Sequence, residues 1–142
     1  MVVKFIIGDK GKAWRIEGEG DLLHGKNIGD KIQGKDLKLE LEGYELEITG
    51  GSDSSGFPLS RDVEGIALRT ALLTKGFGMR DSYPGIRRRK TVRGKTISNT
   101  IAQINLKVLH HGAKKFEEIF SDQNQPKVAA PKPVAVPAPA AA

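Results

Sequence analysis

The apolar residues of this chain fall in short segments that alternate with polar residues, and glycines separate most of these segments. Residues 2–7 (VVKFII) are rich in β-branched side chains, and a GDKG sequence follows them. Residues 12–17 (KAWRIE) then alternate polar and apolar positions. This pattern is typical of two strands joined by a tight turn. We therefore predict that the chain begins with a β-hairpin.

The clearest alternation lies in the middle of the chain. Leu37, Leu39 and Leu41 alternate with charged residues, and after Gly43 the pattern resumes at residues 45–48. Leucine and glutamate favour helix by intrinsic propensity, but strict period-two alternation favours a half-buried strand. We predict strands in both segments. Further strands are predicted at Val92, at Ile97 and at residues 104–109.

The other segments carry weaker signals. Residues 21–35 are rich in glycine and charge and predict loops with at most one short strand. Residues 50–56 predict a tight polar loop, residues 75–95 a loop punctuated by glycine and proline, and residues 113–120 one short helix. Residues 66–73 fit either a strand or a short helix, because periodicity does not distinguish the two at this length.

Many short strands between glycine turns predict a mainly β fold, in the form of a small β-barrel-like or sandwich domain. Closing the sheet would remove exposed strand edges. We assign residues 1–120 to this domain and residues 121–142 to an extended, flexible tail. The tail contains five of the seven prolines and seven alanines but no aromatic residue, a composition of polyproline character.

Catalytic and metal-binding chemistry finds little support in the sequence. The absence of cysteine excludes disulfides, thiolate zinc sites and thiol nucleophiles. His110 and His111 are adjacent and would point to opposite faces of a strand, which makes them a poor metal pair. We therefore expect no enzyme, no metal and no cofactor. Without a long apolar run or a signal-peptide pattern, we expect a soluble cytoplasmic protein.

The positive charge is concentrated in one segment. Of the net charge of +6, residues 1–60 contribute −3, residues 61–95 contribute +7 and residues 96–142 contribute +2. Such a concentration focuses positive potential on one surface and favours polyanions. Guanidinium groups match phosphate oxygens with a planar fork of donors. The candidate RNA-binding residues are Lys75, Arg80, Arg87, Arg88, Arg89, Lys90, Thr91, Arg93 and Lys95.

Aromatic side chains are sparse in this segment, since Tyr83 is the only ring in residues 80–95. This favours recognition of folded RNA by shape and phosphate over base stacking. The sequence Lys75-Gly76-Phe77-Gly78 matches the first four positions of the RNP1 pattern of RNA-recognition domains, but the next two positions depart from it. Only Phe77 could stack on a base, and a core position for its ring is an equal alternative.

Residues 50–56 (GGSDSSG) share only their glycine content with nucleotide-binding loops. Those loops need Lys followed by Ser or Thr after the second glycine, whereas Phe57 and Pro58 stand there, and Asp53 would repel a phosphate. We predict a structural loop, in which glycines allow positive φ and Asp and Ser side chains bond to the loop backbone. The structural positions are Gly50, Gly51, Asp53, Gly56 and Pro58.

Three segments together resemble the family of the sixth small-subunit ribosomal protein of archaea and eukaryotes. The first is the family signature, Ile48-Thr49-Gly50-Gly51-Ser52-Asp53-Ser54-Ser55-Gly56-Phe57-Pro58, followed by Leu59 where the family usually has Met. The next two landmarks follow in order, as Leu72-Leu73-Thr74-Lys75-Gly76 and Arg87-Arg88-Arg89-Lys90-Thr91-Val92-Arg93-Gly94. The resemblance covers about residues 1–112.

The resemblance implies a β-barrel-like, non-catalytic protein that lies on ribosomal RNA among neighbouring proteins of the small subunit. Eukaryotic members continue into a long basic helix with phosphorylated serines, but this chain has a Pro/Ala-rich tail instead. It therefore looks like the short archaeal form. The alternatives are a free RNA chaperone or translational regulator with a cold-shock-like fold, and a small protein–protein adaptor. Sedimentation with the small subunit would distinguish the first interpretation from both alternatives.

The tail generates the first testable prediction, which is that truncation after Ser121 spares folding and primary RNA binding. Five prolines remove five backbone donors, and alanine and valine bury too little surface to offset the entropy of ordering. We expect an unchanged melting temperature and a loss of RNA affinity below tenfold, about 1.4 kcal/mol. A larger loss, or failure to join the small subunit, would instead identify the tail as an anchor.

Overall fold

The computed structural model describes residues 2–112, 114–120 and 123. These residues form seven strands, two short α-helices and two single 3₁₀ turns, the latter at Gly20–Leu23 and Leu39–Leu41. The strands are β1 (Val2–Asp9), β2 (Lys12–Glu19), β3 (Lys31–Gln33), β4 (Glu45–Asp53), β5 (Leu68–Leu73), β6 (Arg88–Arg93) and β7 (Ile101–His110). The helices are α1 (Gly34–Leu37) and α2 (Phe116–Ile119). The prediction of a mainly β fold is confirmed.

The predicted N-terminal hairpin is confirmed. Strands β1 and β2 pair antiparallel from Val2 opposite Glu19 to Asp9 opposite Lys12. Lys10 and Gly11 form the turn with φ of 44° and 82°. A two-residue turn with both central φ values positive matches the right-handed twist of the flanking strands, which explains the glycine at this point of the sequence.

Five strands form one mixed sheet in the order β2-β1-β7-β4-β3, and β5 pairs with β6 in a separate two-stranded sheet. Strand β7 lies at the centre, parallel to β1 and antiparallel to β4. Strands β2 and β3 form the two ends of the sheet, and no ladder joins them within the described residues. The parallel pairing of the first and last strands brings distant parts of the chain together.

The core follows from the alternation of the strands. On β1, Val3, Phe5 and Ile7 are buried, and on β7 Ile104 and Leu106 pack beside them. Complete burial of an aliphatic or aromatic side chain contributes about 1.5–3 kcal/mol. The alternating residues therefore fix which face of each strand points inward.

The C-terminal helix is held against the sheet by aromatic rings, and the prediction of one short helix here is confirmed. Phe116 stacks on Trp14 with a centroid distance of 4.9 Å and lies 4.3 Å from the ring of Tyr44. The Tyr44 hydroxyl donates to the carbonyl oxygen of Lys114. Burial, followed by the carboxylates of Asp9 and Glu118, raises the pKa of Tyr44 above its ordinary value. Of the predicted tail, only Gln123 is among the described residues.

The prediction of a strand through Leu37, Leu39 and Leu41 was wrong. Leu37 ends α1, and the other two leucines lie in the 3₁₀ turn that follows. Strands β3 and β4 pair antiparallel, so the chain between them has to reverse direction. Leucine and glutamate favour helical backbone, and their propensity prevails in a connection that no neighbouring strand pairs with. Leu41 is still fully buried.

Several boundaries also differ from the sequence predictions. Strand β4 runs on through Gly50 to Asp53, so only the second half of residues 50–56 is a loop. Residues 66–73, which had two interpretations, contain strand β5. Six of the 21 residues in the predicted loop of residues 75–95 form strand β6, which includes the strand predicted at Val92. The strand predicted at Ile97 is absent from the described structure, where Thr96 makes one isolated bridge with Asn27.

The glycines of residues 50–56 have three different environments. Gly56 has a φ of 87°, as the prediction of a glycine turn requires. A Cβ at Gly51 would lie 2.4 Å from the carbonyl oxygen of Gln103, so β4 and β7 could not pair as closely with any other residue there. A Cβ at Gly50 would meet no atom within 4 Å, and its φ is negative or extended.

These environments predict opposite effects of two adjacent substitutions. Gly51→Ala should reduce the free energy of unfolding by about 2 kcal/mol, because the new methyl group overlaps a backbone oxygen. Gly50→Ala is the matched control and should leave stability unchanged or raise it by about 0.5 kcal/mol, since alanine restricts the unfolded chain. Urea unfolding of both variants measures the difference. Equal losses would contradict the assignment of Gly51 as the packed position.

Candidate nucleic-acid interface

Most of the predicted RNA-binding residues lie on one hairpin, which we call the basic ribbon (residues 68–93). It consists of β5, β6 and the loop of residues 74–87 between them. The two strands pair antiparallel from Leu68 opposite Arg93 to Leu73 opposite Arg88. Because opposite residues of a ladder point to the same face, Leu72 and Arg89 share one face of the ribbon.

Backbone hydrogen bonds join the base of the ribbon to residues 58–60, which follow the loop of residues 50–56. The amide of Arg93 donates to the carbonyl of Pro58 at 2.9 Å, and the amide of Ser60 donates to the carbonyl of Arg93 at 2.8 Å. Leu59, between these partners, is buried and forms an isolated parallel bridge with Arg93. These contacts attach the base of the ribbon to the hydrophobic core.

A buried ion pair reinforces the same junction. The Nη1 of Arg93 contacts Oδ2 of Asp53, and their side chains are only 12% and 3% exposed. Oδ1 of Asp53 accepts from the amide of Ser54 at 2.6 Å and from its hydroxyl at 3.1 Å. The prediction that Asp53 bonds to its own loop is confirmed. In addition, the carboxylate compensates a guanidinium from 40 residues further along the chain.

The remaining predicted residues differ in how free their charges are. Lys90 donates to the carbonyl of Gly78 at 3.2 Å. Arg88 pairs with Asp81 at 2.9 Å, and Lys95 pairs with Glu64 at 3.3 Å. Thr91 is half-buried. The cations that are exposed and make no ion pair among the described residues are Lys75, Arg80, Arg87 and Arg89.

Two further cations belong to the same surface but were absent from the predicted set. Arg61 and Arg69 are exposed and make no ion pair within the described part of the chain. Arg69 lies on β5 opposite Val92 of β6. Both are among the cations of residues 61–95, whose net charge is +7. The predicted set did not include them because it was limited to residues 75–95. Five free cations therefore lie on the ribbon, and Arg61 lies beside its base, next to Ser60.

Large apolar side chains also concentrate on this part of the molecule. Among the described residues, five of the seven exposed large hydrophobics fall in residues 66–83, as Ile66, Leu68, Leu72, Phe77 and Tyr83. Phe77 is 53% exposed, which excludes the core position considered for it. Exposed apolar patches commonly mark contact surfaces. No group of three metal-ligating side chains and no helix capable of spanning a membrane occurs among the described residues.

The fold and the ribbon define a small, mainly β protein that presents a cationic hairpin, and comparisons identify its family. The model of the family described as Ribosomal protein S6e matches residues 7–121. The small ribosomal subunit protein eS6 of Methanosphaera stadtmanae is 40% identical over 128 residues, which cover 88% of this chain and 97% of that relative. The protein of the same name from Methanocaldococcus jannaschii is 44% identical over 119 residues, covering 82% and 89%.

A third relative, eS6 of Archaeoglobus fulgidus, is 49% identical over 82 residues, covering 58% of this chain and 64% of that relative. The chain belongs to the ribosomal protein S6e family. The family resemblance drawn from the three sequence segments is thereby confirmed. Because the family consists of structural ribosomal proteins, the prediction that the chain is not an enzyme is also confirmed. All three relatives are archaeal.

The buried ion pair generates a stability prediction. Asp53→Ala should reduce the free energy of unfolding by about 3 kcal/mol, because it leaves the Arg93 guanidinium buried without a counter-charge. The matched control is Asp81→Ala, which removes a partner from the exposed pair with Arg88 and should cost less than about 1 kcal/mol. Thermal or urea unfolding compares them. Similar small losses would contradict the role of Asp53 as an anchor.

Proposed function

We propose that this protein is a structural component of the small ribosomal subunit that binds ribosomal RNA through its basic ribbon. The observation that carries the proposal is that, in the described part of the chain, most cations at the ribbon are exposed and unpaired, while one is buried in an ion pair. Arg93 is buried against Asp53, whereas six other cations are exposed and make no ion pair among the described residues. Like-charged groups at such density repel each other, and a phosphate backbone would compensate them.

The secondary structure of the ribbon supports recognition of phosphate rather than of base sequence. A two-stranded ribbon holds guanidinium groups at fixed spacing, and each can form paired hydrogen bonds with phosphate oxygens. Exposed cations lie on both strands and in the loop between them. Such an arrangement suits the backbone of folded RNA, which proteins recognise mainly by shape and phosphate position.

The exposed leucines support a second contact within the same assembly. Leu68 and Leu72 lie on one face of β5, and both are about half exposed. Aliphatic side chains gain little from phosphates but are stabilised by burial against protein. We propose that neighbouring small-subunit proteins cover part of this face. The ribbon would then contact RNA and protein together, which fits a role in subunit assembly and translation on the ribosome.

The salt dependence of RNA binding tests the electrostatic part of the proposal. Six free cations that contact phosphates should give a plot of log K against log salt with a slope of roughly −4 to −5. Substitution of both Arg87 and Arg89 by Ala should weaken binding to small-subunit RNA about tenfold and reduce the slope by about 1.5–2. Filter binding over a salt series provides the measurement.

The control replaces two exposed lysines outside the ribbon, Lys4 and Lys107, by Ala. It removes the same charge from the five-stranded sheet and should change the affinity less than about twofold, since screening weakens attraction beyond ~10 Å. Equal losses in both double variants would show that net charge rather than the ribbon binds RNA. If the wild-type protein did not sediment with small subunits, the ribosomal role would be contradicted, and a free regulator or an adaptor would be favoured.

A further inference from the structure

Gly50 lies beside an irregularity in the pairing of β4 with β7, where the register shifts between Ile48 and Gly50. Its φ is outside the left-handed region, and a Cβ there would meet no atom within 4 Å. Glycine inside a strand costs roughly 0.5–1 kcal/mol relative to alanine, because it loses more conformational freedom on folding. A glycine in a strand commonly marks either a bulge or the close approach of another molecule. The open space beside Gly50 leaves room for another molecule to approach.

The open side of Gly50 faces a groove of about 450 Å³ between the five-stranded sheet and the ribbon. Its walls come from three parts of the chain. Thr49, Gly50 and Asn105 belong to β4 and β7, Pro58 and Arg61 follow the signature loop, and Phe77 belongs to the ribbon loop. Asp62 also lines the groove. Polar, cationic and aromatic groups therefore converge beside a strand that lacks a side chain.

Phe77 is the second unexplained residue of this groove. Its ring is 53% exposed, although phenylalanine is among the residues most often buried. It belongs to the partial RNP1 match at Lys75-Gly76-Phe77-Gly78, a pattern whose aromatic residues stack on RNA bases. Phe77 thus has the exposure that stacking needs, and the core role that would otherwise explain it is excluded.

We propose that this groove binds one unpaired nucleotide of RNA. The base stacks on the Phe77 ring and lies over the bare backbone at Gly50, and the Arg61 guanidinium binds the adjoining phosphate. Base stacking on an aromatic side chain contributes about 1–3 kcal/mol for each base. The proposal rests on the proposed RNA-binding function and adds a site for a single base to the phosphate contacts of the ribbon.

The polar groups of the groove suit the edge of a base. Oδ1 of Asn105 accepts from Gln103 at 2.9 Å, a bond that does not use the two donors on Nδ2. The Thr49 hydroxyl donates to the carbonyl of Asn105 at 3.0 Å and keeps lone pairs available as acceptors. The Asp62 carboxylate also lines the groove and would repel a phosphate, so the Arg61 guanidinium is the group that binds the phosphate in this proposal.

The test compares affinities of the full chain for a short unstructured RNA and for an RNA duplex of equal length. Phe77→Ala should lower the affinity for the unstructured RNA about 5- to 100-fold, because stacking is lost, while the affinity for the duplex changes less than about twofold. Gly50→Val should likewise lower the affinity for the unstructured RNA but not for the duplex, because the valine side chain fills the groove. Phe77 is exposed and Gly50 has open space around it, so both variants should keep the wild-type melting temperature.

Gly8→Val is the matched control, since Gly8 also lies in a strand with a φ outside the left-handed region, but on β1, across β7 from Gly50, and it does not line the groove. It should bind both RNAs as the wild type does. The nucleotide site would be overturned if Phe77→Ala bound the unstructured RNA as tightly as the wild type does. An equal loss of affinity for both RNAs would also overturn it. If the Arg87 and Arg89 double variant still lost affinity in that case, the ribbon proposal would stand. Failure of the wild type to bind either RNA would overturn both proposals.

Discussion

The buried contact between Arg93 and Asp53 is the constraint on which the exposed surface depends. An isolated guanidinium or carboxylate is costly to bury, so each of these groups requires the other. Asp53 accepts hydrogen bonds from Ser54, and Arg93 ends a strand on which Arg88 and Arg89 are exposed. The pair therefore joins the glycine-rich signature to the arginine-rich segment. Two landmarks that are separate in sequence form one junction in the folded protein.

This junction divides the charges of the arginine-rich segment between structure and binding. Arg93 is buried in an ion pair with Asp53. Arg88 and Lys95 form more exposed ion pairs with Asp81 and Glu64. Arg87 and Arg89, their immediate neighbours in sequence, remain free of ion pairs in the described part of the chain. Strand alternation does not produce this division, because Arg89 and Arg93 lie on the same face of the ribbon. It arises because the Asp53 carboxylate lies beside Arg93 at the base of the ribbon. Neighbouring arginines thus acquire different roles without any difference in residue type.

The glycines of the signature divide in the same way. Gly51 allows β4 to approach β7, and Gly56 allows a turn, so both serve the fold. Gly50 serves neither purpose and opens the groove beside Phe77. The prediction that the signature loop is structural therefore applies to Gly51, Asp53 and Gly56, while Gly50 is assigned to RNA in our proposal. A single motif can combine residues that fix the backbone with a residue that keeps its surface accessible.

The sequence by itself determined the mainly β fold, the N-terminal hairpin and the basic segment, because alternation and charge density are local properties of the chain. It did not determine the turn at Leu39 and Leu41, since the reversal between β3 and β4 depends on which strands pair. Nor did it distinguish Arg93 from Arg89, or Gly50 from Gly51. Those differences arise from contacts between residues that are 40 or more positions apart, and only the tertiary structure brings such residues together.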